Sequence, residues 1–301
     1  MAHVKAKSSS HKTTNTTSTV TATTSTSSRA ASSLAASRKL LKDMRSLPVI
    51  GATIAELIGT FLLVAVTISL TVTYGQLPIG FVSGITLAGI ILLIGGLSGS
   101  HLNPVITIGA WVTRKISSVQ AVGYIVAQSI GGYAAYSMVN GFLVNARAGD
   151  TVGNTSITML TATPITSGKE MLVFFAELLG AAILAFGVAT SLRIKRNRST
   201  AALTAGFSLF IALTVAGSLT VLMGTYLVFL NPVISATASG FSSVYTVVDS
   251  VTKWNLWPIS VYVIAPVIGG IVGFVLQDFL QSQSSDNSCE GCDNCNCGCC
   301  K

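Results

Sequence analysis

Charge is the scarcest property of this sequence. Asp, Glu, Lys and Arg make up 9% of its 301 residues, against 50% hydrophobic ones. A soluble globular domain carries about 25% charged residues. That shortage excludes an ordinary soluble fold and points to a polytopic membrane protein. Cysteine is missing from the body of the chain. All six cysteines fall between positions 289 and 300, so no disulfide staples the apolar part. The first 46 residues are rich in Ser and Thr and lack the apolar h-region of a signal peptide. With so little to bury, the segment 1–46 is expected to be a disordered cytoplasmic tail. There is also no nucleophile–base constellation and no nucleotide-binding loop, so no enzymatic activity is expected. The net charge is +8. Its basic residues lie in tails and short loops rather than on a folded face, which argues against nucleic acid as a partner.

What is present is a series of apolar segments, each near the 20 residues that cross a bilayer core. They run over 49–72, 79–97, 119–139, 170–192, 201–223 and 258–279. Lys and Arg are shared unevenly between the connections. Arg38, Lys39, Lys42 and Arg45 precede the first span, Arg114 and Lys115 follow the second, and Arg193, Lys195, Arg196 and Arg198 follow the fourth. The other side holds Arg147, Lys169 and Lys253. The positive-inside rule then makes both termini cytoplasmic. In the external 141–168 loop, Asn154-Thr155-Ser156 fits a glycosylation sequon. Asn15-Thr16-Thr17 fits it too, but on the cytoplasmic side.

AELIGTFLLVAV, from Ala55, and AELLGAAILAFG, from Ala176, open two similar halves, and each half later contains NPVI. Three spans per half is an odd number, so the second half must be inverted, which puts a functional site at the midplane between the halves. Asn is a favoured N-cap and Pro a favoured first helical residue. Asn103-Pro104 and Asn231-Pro232 therefore read as starts of half-helices, about ten residues or roughly 15 Å long, that dip in from opposite sides. Their positive dipole ends meet at the centre, where they repel cations. The two Asn side chains would add donors that turn a passing water or hydroxyl and break a proton-conducting chain. The fold class expected is an all-α membrane protein of six transmembrane helices plus two re-entrant half-helices in an inverted repeat. The channel domain covers 47–280, with halves of about 47–140 and 169–280 and a cytoplasmic tail at 281–301.

SGSHLNPVITIG and FLNPVIS, together with AELIGTFLLV, YIVAQSIGGYAA and APVIGGIVGF, resemble the signatures of the major intrinsic protein family of aquaporins and glycerol facilitators. The first motif resembles SGxHxNPAVTxG, with Val105 for Ala. The second resembles NPAR, with Val233 for Ala and Ile234 for Arg. The resemblance implies a homotetramer in the lipid bilayer, each subunit with its own pore. It implies Asn103 and Asn231 as pore donors, Glu56 and Glu177 as braces of the re-entrant loops, and His101 as a holder of the first loop. It places the narrowest point at Ser83, Leu219 or Thr220, Val228 and Ile234. Without the family's arginine, this constriction is expected to be wide and apolar. It would pass small neutral solutes such as glycerol or urea alongside water. The opposing reading is a non-conducting protein that keeps the fold for assembly, adhesion or a structural role.

Transport of this kind needs no cofactor. The terminal Cys289, Cys292, Cys295, Cys297, Cys299 and Cys300 resemble a metallothionein-like cluster. Soft thiolates there would suit Zn2+ or Cu(I). Palmitoylation, or a tail with no dedicated role, are the competing readings.

Overall fold

The computed structural model of the chain describes residues 47–74, 79–146, 168–222, 228–238, 245–248 and 251–286. The Ser/Thr-rich segment 1–46, both sequons and the cysteine cluster lie outside the described residues. In chain order the helices are α1 (Leu47–Tyr74), α2 (Ile79–Ser98), α3 (Pro104–Val112), α4 (Ser118–Ala146), α5 (Glu170–Arg193), α6 (Arg198–Val221) and α7 (Pro232–Thr237). The last span is one rod: α8 (Trp257–Ile259), a π-helical turn (Ser260–Ile264) and α9 (Ala265–Asp286). Among the described residues the expected architecture is present, six long helices and two half-helices.

Five of the long helices are apolar enough by composition to cross a membrane. The other, α4, has 29 residues but is diluted by Gln120, Gln128, Ser129 and Tyr124. It nonetheless packs along α1 as α9 packs along α5. Large apolar side chains such as Leu93, Phe142, Phe175 and Phe279 are exposed on the outside, as a lipid-facing surface requires.

One short antiparallel pair adds to the all-helical expectation. β1 (Tyr245–Val248) pairs with β2 (Val251–Trp254), Tyr245 opposite Trp254 and Val248 opposite Val251. The β-branched and aromatic residues of YTVV and VTKW favour extended pairing.

The half-helices begin where Asn-Pro predicts. The Asn103 side-chain oxygen accepts from the Val105 N–H at 2.9 Å, and that of Asn231 from the Val233 N–H at 3.0 Å, with Pro at the first helical position in both. Each then packs on the third span of the opposite half, α3 on α9 and α7 on α4. Glycine makes this close approach possible. A Cβ on Gly270 would overlap the Val105 side chain, and one on Gly132 would overlap Val233. The two valines that replace alanine in the motifs are thus seated in notches on the other half of the molecule. Helices α2 and α6 also cross at glycine, the carbonyl of Gly84 or Gly206 lying where the other's Cβ would stand.

At one end of the bundle, Asp278 accepts from Lys115 at 2.7 Å and from Arg193 at 2.6 Å. These bonds gather the connection after α3, the end of α5 and the end of α9 on a single side.

Candidate functional site

The site is assembled by two buried carboxylates. Glu56 on α1 accepts from the backbone N–H of His101 (2.8 Å) and of Leu102 (2.7 Å). Its repeat mate Glu177 on α5 accepts from Phe229 (2.8 Å) and Leu230 (2.9 Å). Two successive N–H groups converge on one carboxylate because the second residue is left-handed, with φ 52° at Leu102 and 54° at Leu230. Such a turn forms a concave nest for an anion. Leucine in that region is strained, and the pair of charge-assisted bonds offsets the strain. Each glutamate therefore fixes the residue immediately before an Asn-Pro pair.

The first half carries a larger network. Gln128 on α4 donates from its side-chain nitrogen to Glu56 (2.8 Å) and to the Thr107 hydroxyl (2.9 Å). Thr107 donates back to the Asn103 carbonyl at 3.1 Å, and His101 Nδ1 lies 3.3 Å from the same hydroxyl. The His101 ring also stacks edge-on against Tyr124 at 5.4 Å, as Phe229 does against Tyr262 at 5.3 Å in the second half. Thr107, Tyr124 and Gln128 lie inside the quoted segments SGSHLNPVITIG and YIVAQSIGGYAA, but motif reading assigns them no role. The available signal was a glutamine inside YIVAQSIGGY, since a polar residue within a span is functional by default. Its counterpart in YVIAPVIGGI is Pro266, which explains why the second half lacks this branch.

The two half-helices meet through their asparagines. Asn103 Nδ2 donates to the Leu230 carbonyl at 2.8 Å, and Asn231 Nδ2 donates to the Leu102 carbonyl at 3.1 Å. The N-termini thus face each other, so α3 and α7 run apart and the halves are inverted. An amide nitrogen has two hydrogens. One is spent on the opposite half.

Beside the asparagines runs a cavity of about 50 Å³, room for a short file of waters at about 10–15 Å³ each. Asn103, Asn231, Ser83, Val228 and Ile234 line it together, and so does His101. Thr67, whose hydroxyl is 3.5 Å from that of Ser83, adds a further polar wall group. Phe229 is also in the lining.

Leu219 and Thr220 are not in the lining; Leu209 and Leu213 represent α6 there. The reason is register between antiparallel helices. Gly80, at the start of α2, faces Phe210, Leu213 and Thr214, and Gly84 faces Gly206 and Phe210. Leu213 is therefore already level with the beginning of α2. Leu219 and Thr220 lie roughly 9–10 Å further along the helix, past the level of Ser83. Thr220 is buried, with its hydroxyl donating to the Gly217 carbonyl at 3.0 Å.

Among the described residues no cluster of His, Cys, Asp and Glu could hold a metal ion. The sequence profile of the Major intrinsic protein family matches residues 43–277. Aquaporin AqpM of Methanothermobacter marburgensis is 29% identical over 259 residues, spanning 76% of this chain and 97% of the relative. Glycerol uptake facilitator protein-like 6 of Lactiplantibacillus plantarum is 29% identical over 222 residues, spanning 73% and 93%. The X-ray structure of the aquaglyceroporin from Plasmodium falciparum matches with a TM-score of 0.61 at 21% identity, covering 79% of this chain and 99% of that one. At that identity the match speaks for the fold.

Proposed function

The chain belongs to the major intrinsic protein family, and from that premise we propose that it passes water and small polyols of the glycerol class along the cavity beside Asn103 and Asn231. It is a passive membrane channel, not an enzyme. The observation that carries the reading is the crossed pair of asparagine bonds, Asn103 to Leu230 and Asn231 to Leu102. It holds two amides in fixed orientation on one narrow passage. Each has a donor to spare, so a permeating oxygen turns toward the centre and a continuous donor chain is interrupted.

Selectivity for glycerol over a water-only pore rests on Ile234. It is 8% exposed and lines the cavity where the family motif has arginine. Leu213 and Val228 share the lining, while Thr67 and Ser83 supply hydroxyls. An apolar wall without a fixed cation accommodates carbon-bearing solutes. The tightly bonded loops, held by Glu56 and Glu177, disfavour the non-conducting reading, because they preserve the pore geometry that such a protein would not need.

The finer assignments rest on the family and on charge. We read the subunits as tetrameric, and the end that carries Lys115, Arg193 and Asp278 as cytoplasmic by the positive-inside rule. Zn2+ or Cu(I) on the terminal cysteines is a separate proposal. Mass spectrometry of the 281–301 peptide with and without metal tests it.

Stopped-flow light scattering on proteoliposomes containing the full chain tests the channel. Water and glycerol gradients should both relax faster than in empty vesicles. Flat traces for both would sink the channel, and water flux without glycerol flux would sink the wide filter.

A further inference from the structure

One buried hydroxyl on the passage has no protein partner. Ser100 is 3% exposed and lines the same cavity as Asn103 and Asn231. Among the described residues its Oγ makes no hydrogen bond. The loop does not need it, because the Ser100 backbone N–H already donates to the Ser98 hydroxyl at 3.0 Å. The oxygen would lie 3.7 Å from a Cβ on Gly95. Gly95 continues the row of Ser83 and Leu87, both of them on the cavity. The same cavity is lined by His101 and by the apolar side chains of Leu184, Val188 and Leu209. In the second re-entrant loop the position matching Ser100 is Val228, so the hydroxyl occurs in one half only.

Resting on the channel reading above, we propose that Ser100 is a solute-binding residue of the pore, a hydrogen-bonding stop for hydroxylated neutral solutes. A hydroxyl both donates and accepts. Left unpaired in a buried place, it costs about as much as a lost hydrogen bond. A passing solute hydroxyl removes that cost. Water in single file takes bonds from its neighbours in the file. The carbon skeleton of a polyol interrupts the file, so a polyol depends more on the wall. Ser100 therefore favours polyol flux over water flux, while the leucine and valine wall takes the CH groups.

The test uses the full chain in proteoliposomes, with Ser100→Ala and Ser100→Gly. Glycine suits this position, whose φ is 50°, so at least one variant keeps the loop. The expected result is a glycerol-to-water permeability ratio lowered roughly twofold to tenfold, the worth of one hydrogen bond. An unchanged or raised ratio in the variants, with water flux retained, would overturn the proposal alone. An unsubstituted chain that conducts water but not glycerol would overturn this proposal together with the wide filter. An unsubstituted chain flat for both solutes would overturn the channel reading, and this inference with it.

Discussion

The valines of the two Asn-Pro-Val motifs and the glycines they meet form a lock that can be tested by exchange. Take Gly270→Ala. The added Cβ overlaps the Val105 side chain and sits 3.1 Å from the Val105 carbonyl oxygen. Val105 is fully buried, and its helix starts at a proline pinned by the Asn103 cap, so neither partner can step aside cheaply. Overpacking of this kind costs about 1–3 kcal/mol. At about 2–4 °C per kcal/mol for a domain of this size, the melting temperature in detergent should fall by several degrees. Val105→Ala alone should also destabilise, by about 1–3 kcal/mol, because it leaves a hole. Combined, the two changes place one methyl group where the valine methyl was removed. The double variant should then be more stable than the sum of the single effects by at least about 1 kcal/mol, a coupling expected only for residues in contact. Thermal unfolding followed by size-exclusion chromatography reads all four proteins. Strictly additive losses would show that Gly270 is not the seat of Val105 and would refute the reasoning. Gly132→Ala with Val233→Ala should repeat the pattern in the other half.

Ile234→Arg should lower glycerol flux relative to water flux in vesicles; an unchanged ratio would remove Ile234 from the constriction. Replacing Leu213 by Phe should reduce both fluxes while Leu219→Phe leaves them within about twofold, since only the former lines the cavity; the reverse order would restore the register counted from the motif. Glu56→Gln turns one acceptor oxygen into a donor facing an N–H group, and a buried mismatch costs about 1–3 kcal/mol. It should cost more than Glu177→Gln, because Glu56 also accepts from Gln128. Equal melting-temperature losses would dismiss the Gln128 branch. Asp278→Asn breaks two ion pairs whose side chains are 21–42% exposed, so the loss should stay near 0.5–1 kcal/mol and shrink in high salt. A larger, salt-independent loss in thermal unfolding would contradict that account.

Much of the fold can be read along the chain because its causes are local. The shortage of charge marks a membrane protein, and the repeated AEL and NPV segments mark two related halves. Asn followed by Pro is a helix start wherever it occurs, so Pro104 and Pro232 open their helices as their residue types require. Glu56 and Glu177 stand out because a carboxylate within a span needs partners. The short pair Tyr245–Val248 and Val251–Trp254 is less visible, because four-residue β-branched runs look alike in helices and strands of an apolar chain. Span α4 is the least distinct of the apolar segments, since Gln120, Gln128 and Ser129 dilute it.

The sequence by itself determined the architecture, the inversion and the two Asn-Pro helix starts, because helix starts, span lengths and repeats are written in neighbouring residues. Only the tertiary structure decided which residues of α6 border the cavity, which glycine receives each motif valine, and that the Gln128 side chain turns inward to Glu56. It also decided that one hydrogen of each asparagine is spent across the halves and that, among the described residues, the buried Ser100 hydroxyl on the cavity has no protein partner. These depend on the relative depth of helices far apart in the chain. That depth is set by packing at Gly84 and Gly206 and by the bonds that fix each loop, not by any count of residues between motifs.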